Sequence, residues 1–466
     1  MSGASRIVIE SRPGETRAAV VDSSDEPLDF RIERETSTSR VGTLCLGRVK
    51  AVRADIGAAF VDIGSGQDGF LNLKGAARDA LGTNVSEGAA VLVQVTRDAA
   101  AGKGAALSTG IDLVGAALVL TPGKPGLGLS GRISDDEERS RLKSLFADRD
   151  VSEAGVVVRT DAAAMSDNDI LAEMTRLDGR WAEIRERAAS SDAPANLIAA
   201  PGLAERLLSR YAGPSLAEIL VDDAETAKRL EIHIAETLGT ACPPPVMTKG
   251  DAAAFTAADL EDAFDAALSP HVLLSGGGSL IVTETPAMTA VDVNAGRAAA
   301  GNPERLALET NLEAADMIAH QLRLRGIGGL IAVDFMKMRE EPNRKRVLAA
   351  LGAAFRGDPD SPRAGVFSRF GLVDIVRQNR GASLARVLLE RGDRLSPESA
   401  ALDALDKIRR RKGTDALLRG APEVCRELAG PLAEIRKNLE QRLGFVIRFE
   451  EIPGAAPDHV EIEDAR

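Results

Sequence analysis

Cysteine, histidine and aromatic side chains are scarce in this chain, and each shortage narrows what it can be. Cys45, Cys242 and Cys425 are the three cysteines in 466 residues, widely separated and without a CxxC pair. Such spacing gives neither a disulfide framework nor a cysteine zinc site, so buried, reduced thiols are expected. His233, His271, His320 and His459 are equally dispersed and offer no metal-ligand spacing. No apolar run approaches the roughly 18 residues that a spanning helix needs. The opening residues MSGASRIVIESRPGETR lack the charged-then-apolar profile of a secretory signal, so a cytoplasmic protein without a membrane span is the expectation.

What is present is ordinary globular material: 44% apolar and 27% charged residues, enough for folded cores. At this length a single core has stopped growing, and roughly two to four domains are expected. Lys plus Arg number 58 against 70 Asp plus Glu, a net charge of -12. That balance argues against a uniformly basic nucleic-acid coat, although a basic channel can sit on an acidic body.

Along the chain, residues 5–33 alternate short β-rich runs with turn residues, a meander. From Val41 to about Thr109, evenly spaced short strands with glycine turns predict a small β-barrel. A Pro/Gly-rich stretch follows, then an acidic helix, the strand AGVVVRT and an amphipathic helix over about 166–191. Residues 272–380 read as α/β. Thr310 with Glu313 looks like a capping box opening a helix that stops at Gly326, and GGLIAVDFMKM reads as a strand buried on both faces. The tail from 401 to 451 predicts a compact α+β module.

Three constellations carry chemistry. Alternation puts Asp292 and Asn294 on one face of a strand, while Asp334 lies inside LIAVDF, where an unpaired carboxylate is costly. Two strand-borne carboxylates with a carboxamide suit Mg2+, which takes one or two carboxylates and keeps waters for a phosphate substrate. The competing reading leaves Asp334 as a strand-end cap and Asp292 in solvent. Phe60 and Phe70 flank the turn DIGSGQDG and Lys103 sits in AGKGAALST, the makings of a base-stacking surface of OB-fold type; alternation equally admits both rings in the core. Arg159 and Thr160 end a strand, where a guanidinium fork with a hydroxyl suits a terminal phosphate or simply meets water. The run Arg409, Arg410, Arg411, Lys412 fits either RNA backbone or a wet helix face.

Taken in order, these residues resemble the ribonuclease E/G family of bacterial endoribonucleases. GAAFVDIGSGQDGFLNLK is similar to the family's RNA-binding OB domain. AVDVNAGR and ETNLEAADMIAHQLRLRGIGGLIAVDF are similar to its catalytic core, and SRFGLVDIVRQ to the segment that follows. The resemblance implies a multidomain α/β and α+β architecture. Its parts are an RNase H-like piece (1–37 with 194–268), an inserted OB-fold barrel (38–115) and a 5′-sensor (116–193). A DNase I-like catalytic domain (269–386), a linker (387–400) and a small C-terminal α+β domain (401–466) complete it. It also implies a Mg2+-dependent endoribonuclease acting on single-stranded RNA. Asp292 and Asp334 would hold the metal with Asn294 beside them, Phe60, Phe70, Lys103 and Arg132 would grip RNA, and Arg159 and Thr160 would sense a 5′-phosphate.

The likeness is to a compact form without the family's cysteine zinc-link, because residues 381–402 contain no cysteine. No zinc-bridged assembly is expected, and other contacts leave a homodimer open. After Arg159-Thr160 comes DAAAMSD, with Asp161 where a phosphate would sit. Gly131 stands where an arginine commonly precedes Arg132, and Asn379 replaces a second arginine of the RQR-like segment. A non-catalytic RNA-binding relative is therefore the alternative. A hydrolase of small phosphorylated molecules is a more distant one, since small substrates need no stacking platform.

Overall fold

The computed structural model describes residues 3–74, 78–99, 103–250, 252–296, 302–379, 381–390, 394–411 and 415–464. They form two compact units, one of Met1–Ser37, Leu220–Asp222 and Thr248–Arg466, the other of Thr38–Ile219 and Asp223–Met247.

The first unit opens with the antiparallel meander β1 (Ala4–Arg12), β2 (Glu15–Asp22) and β3 (Pro27–Arg34). Its inward side chains Val8, Ala19, Val21 and Phe30 pack with Phe255 and Phe264, the Phe30 and Phe264 rings meeting edge to face at 5.3 Å.

The second unit begins with β4 (Leu44–Arg53), β5 (Ala58–Asp62), β6 (Gly69–Asn72), β7 (Ala90–Arg97) and β8 (Ala106–Ser108). They run in the order β4-β5-β6-β8-β7, and β7 pairs back onto β4, so the five strands close into an OB-like barrel without free edges. Val49, Val61, Leu71, Val93 and Leu107 fill it. Beyond it, the strands Leu118–Pro122 and Ala154–Val158 are covered by helix α1 (Asp167–Ser190) through Ile170, Met174, Leu177 and Trp181. Helix α1 starts where the Ser166 hydroxyl accepts the N–H of Asp169.

The remainder of the first unit is built on a six-stranded sheet. Its elements are β9 (His271–Leu273), β10 (Ser279–Glu284), β11 (Thr289–Asn294), α2 (Pro303–Leu324), β12 (Gly329–Asp334), α3 (Glu341–Ala354), β13 (Arg363–Ala364) and β14 (Leu372–Arg377). The order is β9-β10-β11-β12-β14-β13. Only β11 and β12 run parallel, and α2 is the crossover such a pair requires. Leu280, Val291, Val293, Ile331, Val333, Val373 and Ile375 point to one side and pack on α2 and α3, each contributing roughly 1.5–3 kcal/mol of burial. The other side faces water, which corrects the expectation for β12: Leu330 is 46% exposed and Asp334 is exposed with it. Among the described residues, helices pack on one side of this sheet, so β12 alternates.

The start of α2 also differs from the capping-box reading. Asn302 caps it by accepting the Glu304 N–H, with Pro303 in the first turn. That pair is the stronger start signal, because proline's fixed φ and missing donor suit the first turn. Thr310 is thereby buried within the helix, and Glu313 accepts the Gly276 N–H at 3.1 Å. The helix ends before Gly326 as expected. The tail packs α4 (Pro397–Arg410) on a three-stranded sheet of Ala416–Gly420, Ile447–Glu451 and Val460–Asp464.

Candidate active site

The open side of the six-stranded sheet gathers the carboxylates. Strand β11 alternates strictly, its valines inward and Ala290, Asp292 and Asn294 outward. The parallel register places Asp292 directly opposite Asp334. The Asn294 amide donates to Asp292 Oδ2 at 2.8 Å, which fixes one carboxylate against its neighbour. Two exposed carboxylates and one carboxamide thus converge at the C-terminal ends of two parallel strands, the end where a βαβ unit presents its site.

These residues fit magnesium. They supply hard oxygens from two carboxylates, and among the described residues no three His, Cys, Asp or Glu side chains form a closed cage, so coordination positions are left to water and phosphate. A structural zinc site would need the opposite, a complete shell of nitrogen and sulfur ligands.

In the second unit, Phe60 and Phe70 are register partners across β5 and β6. Their rings meet edge to face at 6.1 Å, outside the barrel core, with Phe70 38% exposed. Lys103 is exposed on the segment leading into β8, which runs beside β6. That approach demands glycine at 104, where a Cβ would stand 1.9 Å from the Asp68 carbonyl oxygen. Two aromatic rings on paired strands and a cation on the segment entering β8 therefore belong to one barrel.

The expected 5′-sensor residues Arg159 and Thr160 follow the strand Ala154–Val158. The Arg159 guanidinium donates to the main-chain carbonyls of Gly115, of Ser209 at 2.7 Å and of Arg210 at 3.1 Å. Burial lowers its pKa, opposed by the nearby Asp161 and Glu173. Asp161 is itself pushed up by burial and drawn down by Arg159 and Arg132. The Thr160 hydroxyl shares a hydrogen bond with Ser130 at 2.9 Å, and Arg132 is exposed two residues further on. In this structure Arg159 ties three carbonyls together.

Three other arginines have internal places. Arg409 and Arg410 both pair with Asp406 at 2.8 Å, and Arg410 also reaches Glu10; Lys412 lies outside the described residues. Arg377, which precedes Asn379 in the segment after the core, is buried on the inward side of β14. All three cysteines are buried, and burial pushes the Cys242 thiol up to about 12.

The chain thus carries a carboxylate pair on the open face of a βαβ-containing sheet and, in its other unit, an OB-like barrel. The ribonuclease E/G family model matches residues 112–380. Ribonuclease G of Salmonella typhimurium is 33% identical over 399 residues, covering 82% of this chain and 81% of that protein. Ribonuclease G of Haemophilus influenzae is 30% identical over 400 residues, with 82% and 81% covered. Ribonuclease E of Escherichia coli is 33% identical over 389 residues, 79% of this chain and 36% of that longer protein. The chain belongs to the ribonuclease E/G family. Among the described residues, no helix is long and apolar enough to cross a membrane.

Proposed function

We propose that the protein is a magnesium-dependent endoribonuclease that cuts single-stranded RNA. The observation that carries this reading is the opposition of Asp292 and Asp334 on an open sheet face, with Asn294 bonded to the first. Asp292 and Asp334 would hold the ion. When bound, magnesium supplies a polarised water and charge neutralisation at the scissile phosphate. The Asn294 amide keeps Asp292 oriented, and an exposed sheet face admits a flexible strand to the carboxylates without a closed pocket. In the barrel, Phe60 and Phe70 would stack bases and Lys103 would meet the backbone, a sequence-tolerant grip suited to unpaired RNA. Arg132 would add a further phosphate contact. On this reading the six-stranded region is the DNase I-like domain, and residues 1–37 with 194–268 form the RNase H-like piece.

Sensing of a 5′-phosphate by Arg159 and Thr160 would require the guanidinium to leave its three carbonyls while Asp161 repels the anion. We therefore expect weak end discrimination. The test is cleavage of a fluorescent RNA offered single-stranded or as a duplex, each with a 5′-hydroxyl or a 5′-monophosphate. The single strand should be cut and the duplex spared, with the two 5′ ends differing in kcat/KM by less than about 3-fold, below the ~1 kcal/mol of one net hydrogen bond. Tight binding of the single strand without cutting would instead make this a non-catalytic RNA-binding relative. A monophosphate preference of about 30-fold or more would show that Arg159 is released on binding.

A further inference from the structure

The hairpin between β13 and β14 carries an aromatic ring into water beside the carboxylates. Of the chain's twelve phenylalanines, only Phe70 of the barrel and Phe370 are exposed, and Phe370 is the more so at 76%. Its tip is the three-residue loop Arg369-Phe370-Gly371. The Ser368 N–H donates to the Leu372 carbonyl at 2.8 Å, and the Gly371 N–H to that of Ser368 at 3.0 Å. The Ser368 hydroxyl accepts from the N–H groups of Phe370 and Leu372. Gly371 takes the left-handed turn position at φ +93°, where a side chain would be strained. Main chain, Ser368 and Gly371 therefore hold this tip, and among the described residues neither the Arg369 nor the Phe370 side chain takes part in a hydrogen bond or ion pair that holds it.

The hairpin is also anchored to the site. Phe367 packs on Phe335 at 5.8 Å, the residue after Asp334, and Leu372 is the register partner of Asp334. Phe370 stands two residues from that partner, at most about 7 Å along the chain. The Arg369 guanidinium lies 4.6 Å from the Phe370 ring centroid, and among the described residues it has no acidic partner. An exposed ring backed by an uncommitted cation suits a ligand with both a π face and negative charge, which is a nucleotide.

We propose that Arg369 and Phe370 form a stacking site for one base of single-stranded RNA next to the scissile phosphate. The ring takes the base and the guanidinium meets the adjoining phosphate. This proposal rests on the nuclease reading of Asp292 and Asp334, and its test separates the two. The full chain, Phe370→Ala and Phe370→Trp would be compared on a ten-nucleotide RNA and on copies with an abasic site walked along it.

Phe370→Ala should raise KM about 10-fold with kcat nearly unchanged, and Phe370→Trp should restore it, because base–aromatic stacking of this kind is sequence-tolerant. One abasic position should cost the wild type about 10-fold and cost Phe370→Ala nothing further, since both changes remove the same contact. Melting temperature should not move. The same 10-fold difference should appear as RNA affinity by fluorescence anisotropy in an Asp334→Asn background. Unchanged KM and affinity in Phe370→Ala, equal losses in the Ala and Trp variants, or identical abasic penalties in both proteins would overturn the site. If the wild type cuts nothing, yet Phe370→Ala weakens binding and Phe370→Trp restores it, the stacking site stands and the nuclease reading falls.

Discussion

Replacing Asp334 by Asn is expected to lower kcat on single-stranded RNA by at least about 10²-fold while leaving RNA affinity at or above that of the wild type. The substitution is nearly isosteric and lies on the exposed side of β12, so the inward packing of Ile331 and Val333 is untouched. What it removes is one of the two charged oxygen donors facing each other across β11 and β12. A carboxamide binds magnesium poorly and does not offset the charge that develops on phosphorus, and losing a single preorganised stabiliser of a developing charge typically costs 10²–10³-fold. Affinity should not fall, because taking a negative charge off a face that meets phosphate reduces repulsion. Single-turnover cleavage with a parallel anisotropy titration reads both quantities. Cleavage within about 10-fold of wild type would remove Asp334 from the chemistry.

The second large effect is on stability. Arg377 is 1% exposed on the inward side of β14. It bonds Asp358 at 2.9 and 3.2 Å and the Ile327 carbonyl at 2.7 Å, and pairs with Asp360 at 2.9 Å. Arg377→Met keeps much of the apolar volume but takes the nearest cation from buried Asp358 and leaves Asp360 with Arg31 at 3.9 Å. Breaking a buried pair from one side costs roughly 3–5 kcal/mol, far more than the intact pair contributes against an apolar substitute. For a unit of this size that corresponds to a fall of about 10 °C in melting temperature. Arg377→Met with Asp358→Asn should recover part of the loss, because the second change relieves what the first stranded. Equal melting temperatures for Arg377→Met and wild type would mean the cluster is hydrated and uncoupled from folding.

These two residues show what the sequence could and could not reveal. A period of two along AVDVNAG is enough to put Asp292 and Asn294 on one face, and a carboxylate inside LIAVDF is conspicuous because burial would be costly. The alignment of Asp292 with Asp334 is another matter. It depends on the parallel register that α2 imposes across forty-two residues, and no local pattern encodes a register. The openness of the sheet was equally hidden, since an apolar run reads the same whether helices cover one face or two, and Leu330, Leu372 and Val376 standing in water reveal it.

Arg159 suits a terminal phosphate by its residue type and place at a strand end, and the fold gives it main-chain carbonyls instead. Sequence names the charge and not its partner. Phe370 is the reverse case, an aromatic that propensity would place in the core. The signal that could have found it is the dipeptide Phe370-Gly371, since a glycine in the left-handed position closes a tight loop and puts the residue before it at the tip.

The most direct test of the central claim is cleavage of a short fluorescent single-stranded RNA by protein stripped of metal with EDTA and then resupplied with magnesium. The account predicts no cutting in EDTA, full recovery with magnesium in the wild type, and no recovery in Asp334→Asn although it still binds the RNA. Cleavage that persists in EDTA, or that magnesium restores equally in both proteins, would contradict it.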